Sequence, residues 1–310
     1  MSFEQFKDKR NLWIECFSGE DHNSVCKQID RILWNYAVFN IINKAREITP
    51  ADAAGKILKF HEIMDTVYPT LEAYPLNIET SVEMNGILHR FMDECFFESQ
   101  FLAVRRLIDA YKLADPKRPV FSLIALLNDM KDNILLMTRE NFFKAEGLDY
   151  AGDRPEADLS IYASATGRHT QIDVLCGVIE NNRRPYDTVR KEVFDYYTEK
   201  IQDASKKFKD YADKYLAHSA TPKSRCQVDG TKIRLGCLSD AHKAICQVAH
   251  FIREILPDSR GVGLPPLCLD HFKFIDRPLV STERVESLSA AWNEFVEEID
   301  SWNSSAVCNY

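Results

Sequence analysis

Residues 78–113 read IETSVEMNGILHRFMDECFFESQFLAVRRLIDAYKL, and this stretch decides the fold class. Leu88, Phe91, Cys95, Leu102, Val104, Leu107 and Ile108 recur at helical intervals. Their apolar band is wider than a surface helix needs, so the spacing predicts a central helix buried on several sides. The run DPKRP at 115–119 ends it. Helical spacing resumes from Ser122 to Phe143 through Leu123, Leu126, Leu127, Met130, Ile134, Leu135 and Met137.

Toward the N-terminus, Phe3, Phe6, Leu12, Trp13, Cys16 and Phe17 mark a first helix, stopped by Ser18-Gly19. Caps between Asp21 and Ser24 open a second, carrying Val25, Ile29, Ile32, Leu33, Tyr36, Phe39 and Ile42. Thr49-Pro50 signals a third over about 50–66. Toward the C-terminus, residues 144–170 read as an irregular connection with room for one short helix, and Ile172 to Asn181 as another helix. Asp187 caps a long helix over about 188–217. A β-prone piece at Thr231 to Leu235 precedes a helix that Pro257 stops. Ser281 opens a last one over about 282–302, with Val285, Leu288, Ala291, Trp292, Phe295, Ile299 and Trp302, and a frayed tail follows from Asn303. The expectation is an all-α protein: an antiparallel helical bundle with irregular insertions and extra C-terminal helices. The simplest organisation is a single helical domain over 1–310, with a core at about 80–220 and a C-terminal helical extension at about 221–310.

The 310 residues are 45% apolar, enough for a large core. A net charge of −8 argues against a protein whose whole surface grips duplex nucleic acid, while leaving room for a local basic cleft. Nine scattered cysteines form no C-x-x-C pair, so they read as reduced thiols. No window has the apolar length of a membrane span, and the N-terminus lacks a signal-peptide pattern. A cytoplasmic protein without membrane contact is the expectation.

No P-loop, dinucleotide glycine pattern, H-E-x-x-H or G-x-S-x-G occurs. His89, His169, His242, His250 and His271 are isolated and read as structural, so neither a metal nor another cofactor is implied. Arg106 and Asp109, three apart, read as a local ion pair. Potential chemistry concentrates in KKFKDYADKYLAHSATPKSR, 206–225. It sets His218 at a helix end among Lys206, Lys207, Lys209, Lys214, Lys223 and Arg225. A helix C-terminus favours imidazolium and other cations, so a cap with a solvated lysine face also explains the pattern.

Two segments carry a resemblance to a known family. One is FFESQFLAVRRLIDAYKLADPKRPVFSLIALLNDM, 96–130, a helix ending in Arg-Leu-Ile-Asp, a polar break and a Ser-Leu-x-x-Leu-Leu helix. The other is FKDYADKYLAHS, 208–219, a closing helix ending in Lys-Tyr-x-Ala-His. Together they resemble the HEPN superfamily, most nearly its AbiU-like abortive-infection branch, over about 80–220. The resemblance implies an all-α bundle, a homodimer with paired histidines, and metal-independent RNA cleavage by an Arg, a short spacer and a His. It implies a catalytic role for His218, with Lys214 and Asp213 beside it. Lys209, Arg225 and Arg106 would be the substrate-binding cations. The family's Arg is absent: Tyr211, Ala212 and Asp213 stand where it belongs. Lys209, Lys214, Arg225, Arg105 and Arg106 are the candidate substitutes. Three readings stay open: binding or cleavage of RNA, a catalytically inactive dimerisation or partner-binding protein, and an unrelated helical enzyme or ligand binder.

Overall fold

The computed structural model describes residues 2–46, 86–113, 120–148, 150, 159–216, 221–225, 235–263 and 282–305. The fold is all-α. The helices among the described residues are α1 (Phe3–Ser18), α2 (Val25–Arg46), α3 (Gly86–Leu107), α4 (Leu123–Asp132), α5 (Arg139–Ala145), α6 (Leu159–Cys176), α7 (Lys191–Tyr211), α8 (Pro222–Arg225), α9 (Leu235–Ile255) and α10 (Thr282–Ser305). Single 3-10 turns occur at Ile134–Leu136 and Glu180–Asn182. Among the described residues there is no strand, and Thr138 and Thr188 form one isolated antiparallel bridge. The helix expected at about 50–66 lies outside the described residues, as does the β-prone piece except for its last residue, Leu235, which opens α9.

Local chemistry sets several helix ends. Ser2 and Gln5 form a capping box on α1: the Ser2 hydroxyl accepts the Gln5 N–H at 3.3 Å, and the Gln5 side chain accepts the Ser2 N–H at 3.1 Å. Ser122 caps α4 by accepting the Ala125 N–H at 3.0 Å, and its hydroxyl donates to the Asp109 carbonyl at 2.6 Å. One buried serine thus starts α4 and ties it to the chain leaving α3. Gly177 ends α6 with φ of +68°, a conformation L side chains rarely adopt. A Cβ there would also come within 2.9 Å of the Arg190 guanidinium.

Residues Met1–Leu264 make one compact unit and Pro265–Tyr310 a second. In the first unit α7 is the hub, packing on α3, α4 and α9. Helix α2 packs on α1, α3 and α9, and α1 packs on α4 and α5. Phe6, Trp13, Phe17, Ile29, Leu107, Leu123, Phe142, Phe143, Phe194 and Phe208 are fully buried in one continuous core. Burying each such side chain favours folding by about 1.5–3 kcal/mol before the cost of ordering the chain. Trp13 donates its indole N–H to Asp129 at 2.8 Å, and Lys9 pairs with the same carboxylate at 3.0 Å, which joins α1 to α4. Arg168 on α6 donates to the carbonyls of Glu254 at 2.6 Å and Ile255 at 3.3 Å. It thereby satisfies the end of α9 with a cation, where the helix dipole favours one.

The 78–113 reading is corrected in two respects. Helix α3 ends at Leu107, and residues 108–113 form a turn. Leu88, Phe91 and Cys95 are also exposed rather than buried, and Phe96 is the first buried side chain described along it. The stretch from Ser122 to Phe143 is two helices and a 3-10 turn, because Asn133 ends α4 and Thr138 caps α5. Helix α6 begins at Leu159, inside the expected irregular connection, and stops at Cys176, before the expected end at Asn181. Asp187 does not cap α7. Arg190 holds the N-cap position, and Asp187 accepts the Arg184 N–H at 2.8 Å and the Arg139 guanidinium instead. Helix α10 runs on to Ser305, past the expected fray at Asn303. In the second unit it carries exposed Leu288, Trp292, Phe295, Val296 and Ile299.

Candidate functional site

Helix α7 positions the site. Phe194, Ile201, Ser205 and Phe208 take its buried side, so Lys206, Lys207 and Lys209 turn outward. After Tyr211 the helix widens into a π turn, Ala212–Leu216. Such turns are rare and concentrate at functional positions. Ala212 is fully buried, Tyr211 meets Phe101 of α3 edge-on at 5.2 Å, and Tyr215 stacks on Tyr211 at 4.6 Å. These contacts seat the π turn against α3.

The π turn presents Asp213 to two cations. Arg105, near the end of α3, donates its Nε–H to one carboxylate oxygen, and Lys209, one turn earlier on α7, holds the other at 2.6 Å. Burial pushes the Asp213 carboxyl up, but the hydrogen bonds and charges of Lys209 and Arg105 outweigh it and hold the group below the ordinary carboxylate value. The bond to Asp213 raises Arg105 in turn, against its partial burial. Asp213 is therefore an ionised anchor rather than a proton donor. No partner among the described residues takes the two terminal nitrogens of Arg105. Arg105 lines a cleft of about 590 Å³ with Tyr111, Asp109, Asp203, Lys206 and Lys209. With Asp213 already bonded to Arg105 and Lys209, the three cations are balanced by three carboxylates, so the feature open to a single phosphate is the outer edge of the Arg105 fork.

The expected site residues divide among several places. Lys209 and Asp213 come together with Arg105, as above. Lys214 turns away to donate to the Ser224 hydroxyl of α8 at 2.8 Å. Arg225 closes α8, with its side chain outside the described residues, and His218 lies outside them altogether. Arg106 does not join Lys209. It lines a different cleft, between α2 and α3, with Gln28, Arg31 and Gln100. No ion pair joins Arg106 to Asp109, whose carboxylate accepts the Tyr111 N–H at 3.3 Å.

Sequence reasoning missed a buried network at Arg139. This side chain is fully enclosed, 2.7 Å from Asp173 and 3.3 Å from Asp187, and it meets the ring nitrogen and carbonyl of His169 at 3.2 Å. Arg183 holds the second oxygen of Asp173 at 2.7 Å. Burial lowers the His169 imidazole, and the charges of Arg139 and Arg183 lower it further. The network fastens the loop between α6 and α7 to the start of α5. A signal was present, because a cation in the first turn of a helix opposes the dipole and needs compensation. A wider cleft of about 930 Å³ runs between α6, α7 and α9, floored by Tyr197 stacked on Phe251 at 4.2 Å. Among the described residues, no cluster of three or more His, Cys, Asp or Glu side chains is arranged to hold a metal ion. None of the described helices is long and apolar enough to cross a membrane.

Comparisons with protein-family models, with curated proteins and with solved structures gave no match.

Proposed function

We propose that this chain is a HEPN-like helical protein of a prokaryotic defence or toxin–antitoxin type system, and that it binds and cleaves RNA at the end of α7. The observation that carries this reading is the Arg105–Asp213 pair. The resembled family keeps an Arg shortly before its His. Here Asp213 stands five residues before His218, and the guanidinium bonded to it comes from the Arg-Leu-Ile-Asp helix. In this reading the terminal nitrogens of Arg105 fork onto one phosphate, Lys206 and Lys209 add charge, and His218 takes the 2′-hydroxyl proton. The test uses labelled single-stranded RNA, with binding followed by anisotropy and cleavage by gel. Arg105→Ala is expected to weaken binding about tenfold, and His218→Ala to abolish cleavage while sparing binding. If the wild-type protein leaves RNA uncut and unbound, or neither substitution changes the result, the reading fails.

A second reading, a catalytically silent homodimerising protein, is favoured by α10. Leu288, Trp292, Phe295 and Ile299 fall at alternating intervals of four and three, all exposed, with Trp292 at 71%. That is the a/d seam of a helix pair. The flanking positions between them hold Ser289, Ala291, Val296 and Glu298, while Glu294 and Glu297 fall outside the seam. Two copies of this helix can therefore pair without facing rows of like charge, which makes a second copy the fitting occupant. Sedimentation of the full chain is expected to show a dimer that Trp292→Glu converts to monomer. A monomeric wild-type protein would rule this reading out.

A further inference from the structure

We propose that the chamber between α2 and α3 is a binding site for a small phosphate monoester whose other end carries O–H or N–H donors. The site is separate from the Arg105 cleft and does not depend on the RNA reading.

The chamber arises from an unusual helix seam. Two packed helices normally meet along apolar stripes. Here α2 contributes Gln28, Arg31 and Asn35, at spacings of three and four, and α3 contributes Ser99, Gln100 and Arg106. Ile32, Leu102 and Ala103 supply its apolar lining. The cavity volume is about 290 Å³, at the small end of ligand sites. An outer cleft of about 570 Å³ shares Asn23, Gln28 and Arg106 with it. Gln28 braces this mouth by donating to the carbonyls of Asn23 at 2.5 Å and Phe121 at 2.9 Å.

Charge selects an anion. Arg31 and Arg106 are the charged residues of the inner chamber, and neither has a carboxylate partner among the described residues. Arg31 uses one donor on the His22 carbonyl at 3.0 Å, leaving the rest of its fork. Asp21 and Asp109 line the outer cleft and not the inner chamber. Two guanidiniums in one carboxylate-free chamber fit the bidentate geometry of a phosphate.

The second requirement comes from Gln100. This residue is 1% exposed, and its Oε1 is buried without a hydrogen-bond partner. Its Nε2 lies 3.4 Å from the Ile32 carbonyl, which can only accept, so the amide orientation is set. A buried carbonyl oxygen left unpaired is disfavoured. As the side chain stands this oxygen is closed off from the chamber, so a ligand O–H or N–H would satisfy it once the Gln100 amide turns toward the cavity. Sugar hydroxyls and nucleobase amines both supply such a donor.

Isothermal titration of the full chain with ribose 5-phosphate, adenosine 5′-monophosphate, inorganic phosphate and adenosine tests the proposal. At least one monoester is expected to bind with Kd below about 1 mM, and adenosine far more weakly. Ribose 5-phosphate alone would identify sugar hydroxyls as the donors, and the nucleotide alone the base. Arg106→Ala, at an exposed position that folding tolerates, is expected to weaken the monoester about tenfold. Gln100→Leu, similar in size, is expected to weaken the monoester while leaving inorganic phosphate unchanged. If neither monoester binds, if adenosine binds equally well, or if Arg106→Ala has no effect, the proposal is overturned.

Discussion

Arg105 and Asp213, separated by 108 residues, form an ion pair that ties the last turns of α3 to the π turn after α7. Their side chains are 31% and 25% exposed. Solvent screening then limits the pair to about 1 kcal/mol of stability or less. Its larger effect is geometric, because it holds the Arg105 fork at the rim of the cleft and leaves its outer nitrogens available.

Opposite changes at the two ends of this pair should move RNA affinity in opposite directions. Arg105→Ala removes the fork and should weaken binding. Asp213→Asn removes a negative charge beside Arg105 and Lys209 and should strengthen binding by about two- to tenfold at low salt. The gain should shrink as salt rises. Anisotropy titrations at two salt concentrations check both signs. A purely structural pair would lower the melting temperature in both variants and leave affinity alone.

Arg139 should be among the most sensitive positions of the first unit. Replacing it with Met keeps the bulk but leaves Asp187 and one oxygen of Asp173 without their buried partner. Breaking such a pair costs about 3–5 kcal/mol. Urea unfolding should show a drop of that order, whereas Lys144→Ala, at an exposed pair, should lie within about 0.5 kcal/mol of wild type.

The helices with local signals were legible in the sequence. Ser2 and Ser122 carry the capping chemistry that marks the starts of α1 and α4, whereas Thr138 carries the same chemistry inside a run that reads as one continuous helix, so the start of α5 was missed. Helix α6 was not legible, because GRHTQ places Arg168, bonded to carbonyls at the end of α9, where a surface residue would be expected. That helix depends on tertiary partners rather than on a clean apolar stripe. The end of α7 was visible as a candidate site from its lysines. The Arg105 partner was not, since it depends on how two helices distant in sequence pack. The α2–α3 chamber left a faint trace, in polar Gln28, Arg31 and Asn35 at helical spacing beside the apolar residues of α2.

The thiols should divide sharply by reactivity. Cys95 is exposed, while Cys16, Cys26 and Cys176 are buried. Burial pushes the Cys26 thiol up to about 12 and Cys176 up to about 11, and it raises Cys16 as well. The thiolate is the reactive form. At pH 8, iodoacetamide should alkylate Cys95 rapidly and reach the three buried thiols only as the protein unfolds. Peptide mass spectrometry after timed labelling reads the order, and early modification of Cys16 or Cys26 would contradict the packing of α1 and α2.

His242 should make the fold acid-sensitive. It is 4% exposed on α9, its ring meets Tyr36 edge-on at 4.8 Å, and neither ring nitrogen has a hydrogen-bond partner. Burial alone pushes the imidazole down to about 4 from its ordinary 6.5. Above pH 6.5 it is neutral in both folded and unfolded chains, and the full stability is present. Between pH 6.5 and 4 the unfolded chain takes up a proton that the folded chain refuses, so stability falls as the pH drops. Below pH 4 both states are protonated and the loss levels off, at about 3 kcal/mol from this group. His242→Leu keeps an apolar side chain in the site and removes the titration. Urea unfolding at pH 7 and pH 4.5 should therefore show a smaller acid loss in the variant, with His169 still contributing in both proteins because its imidazole is lowered in the same direction. An unchanged pH dependence would mean that His242 reaches solvent in the folded protein.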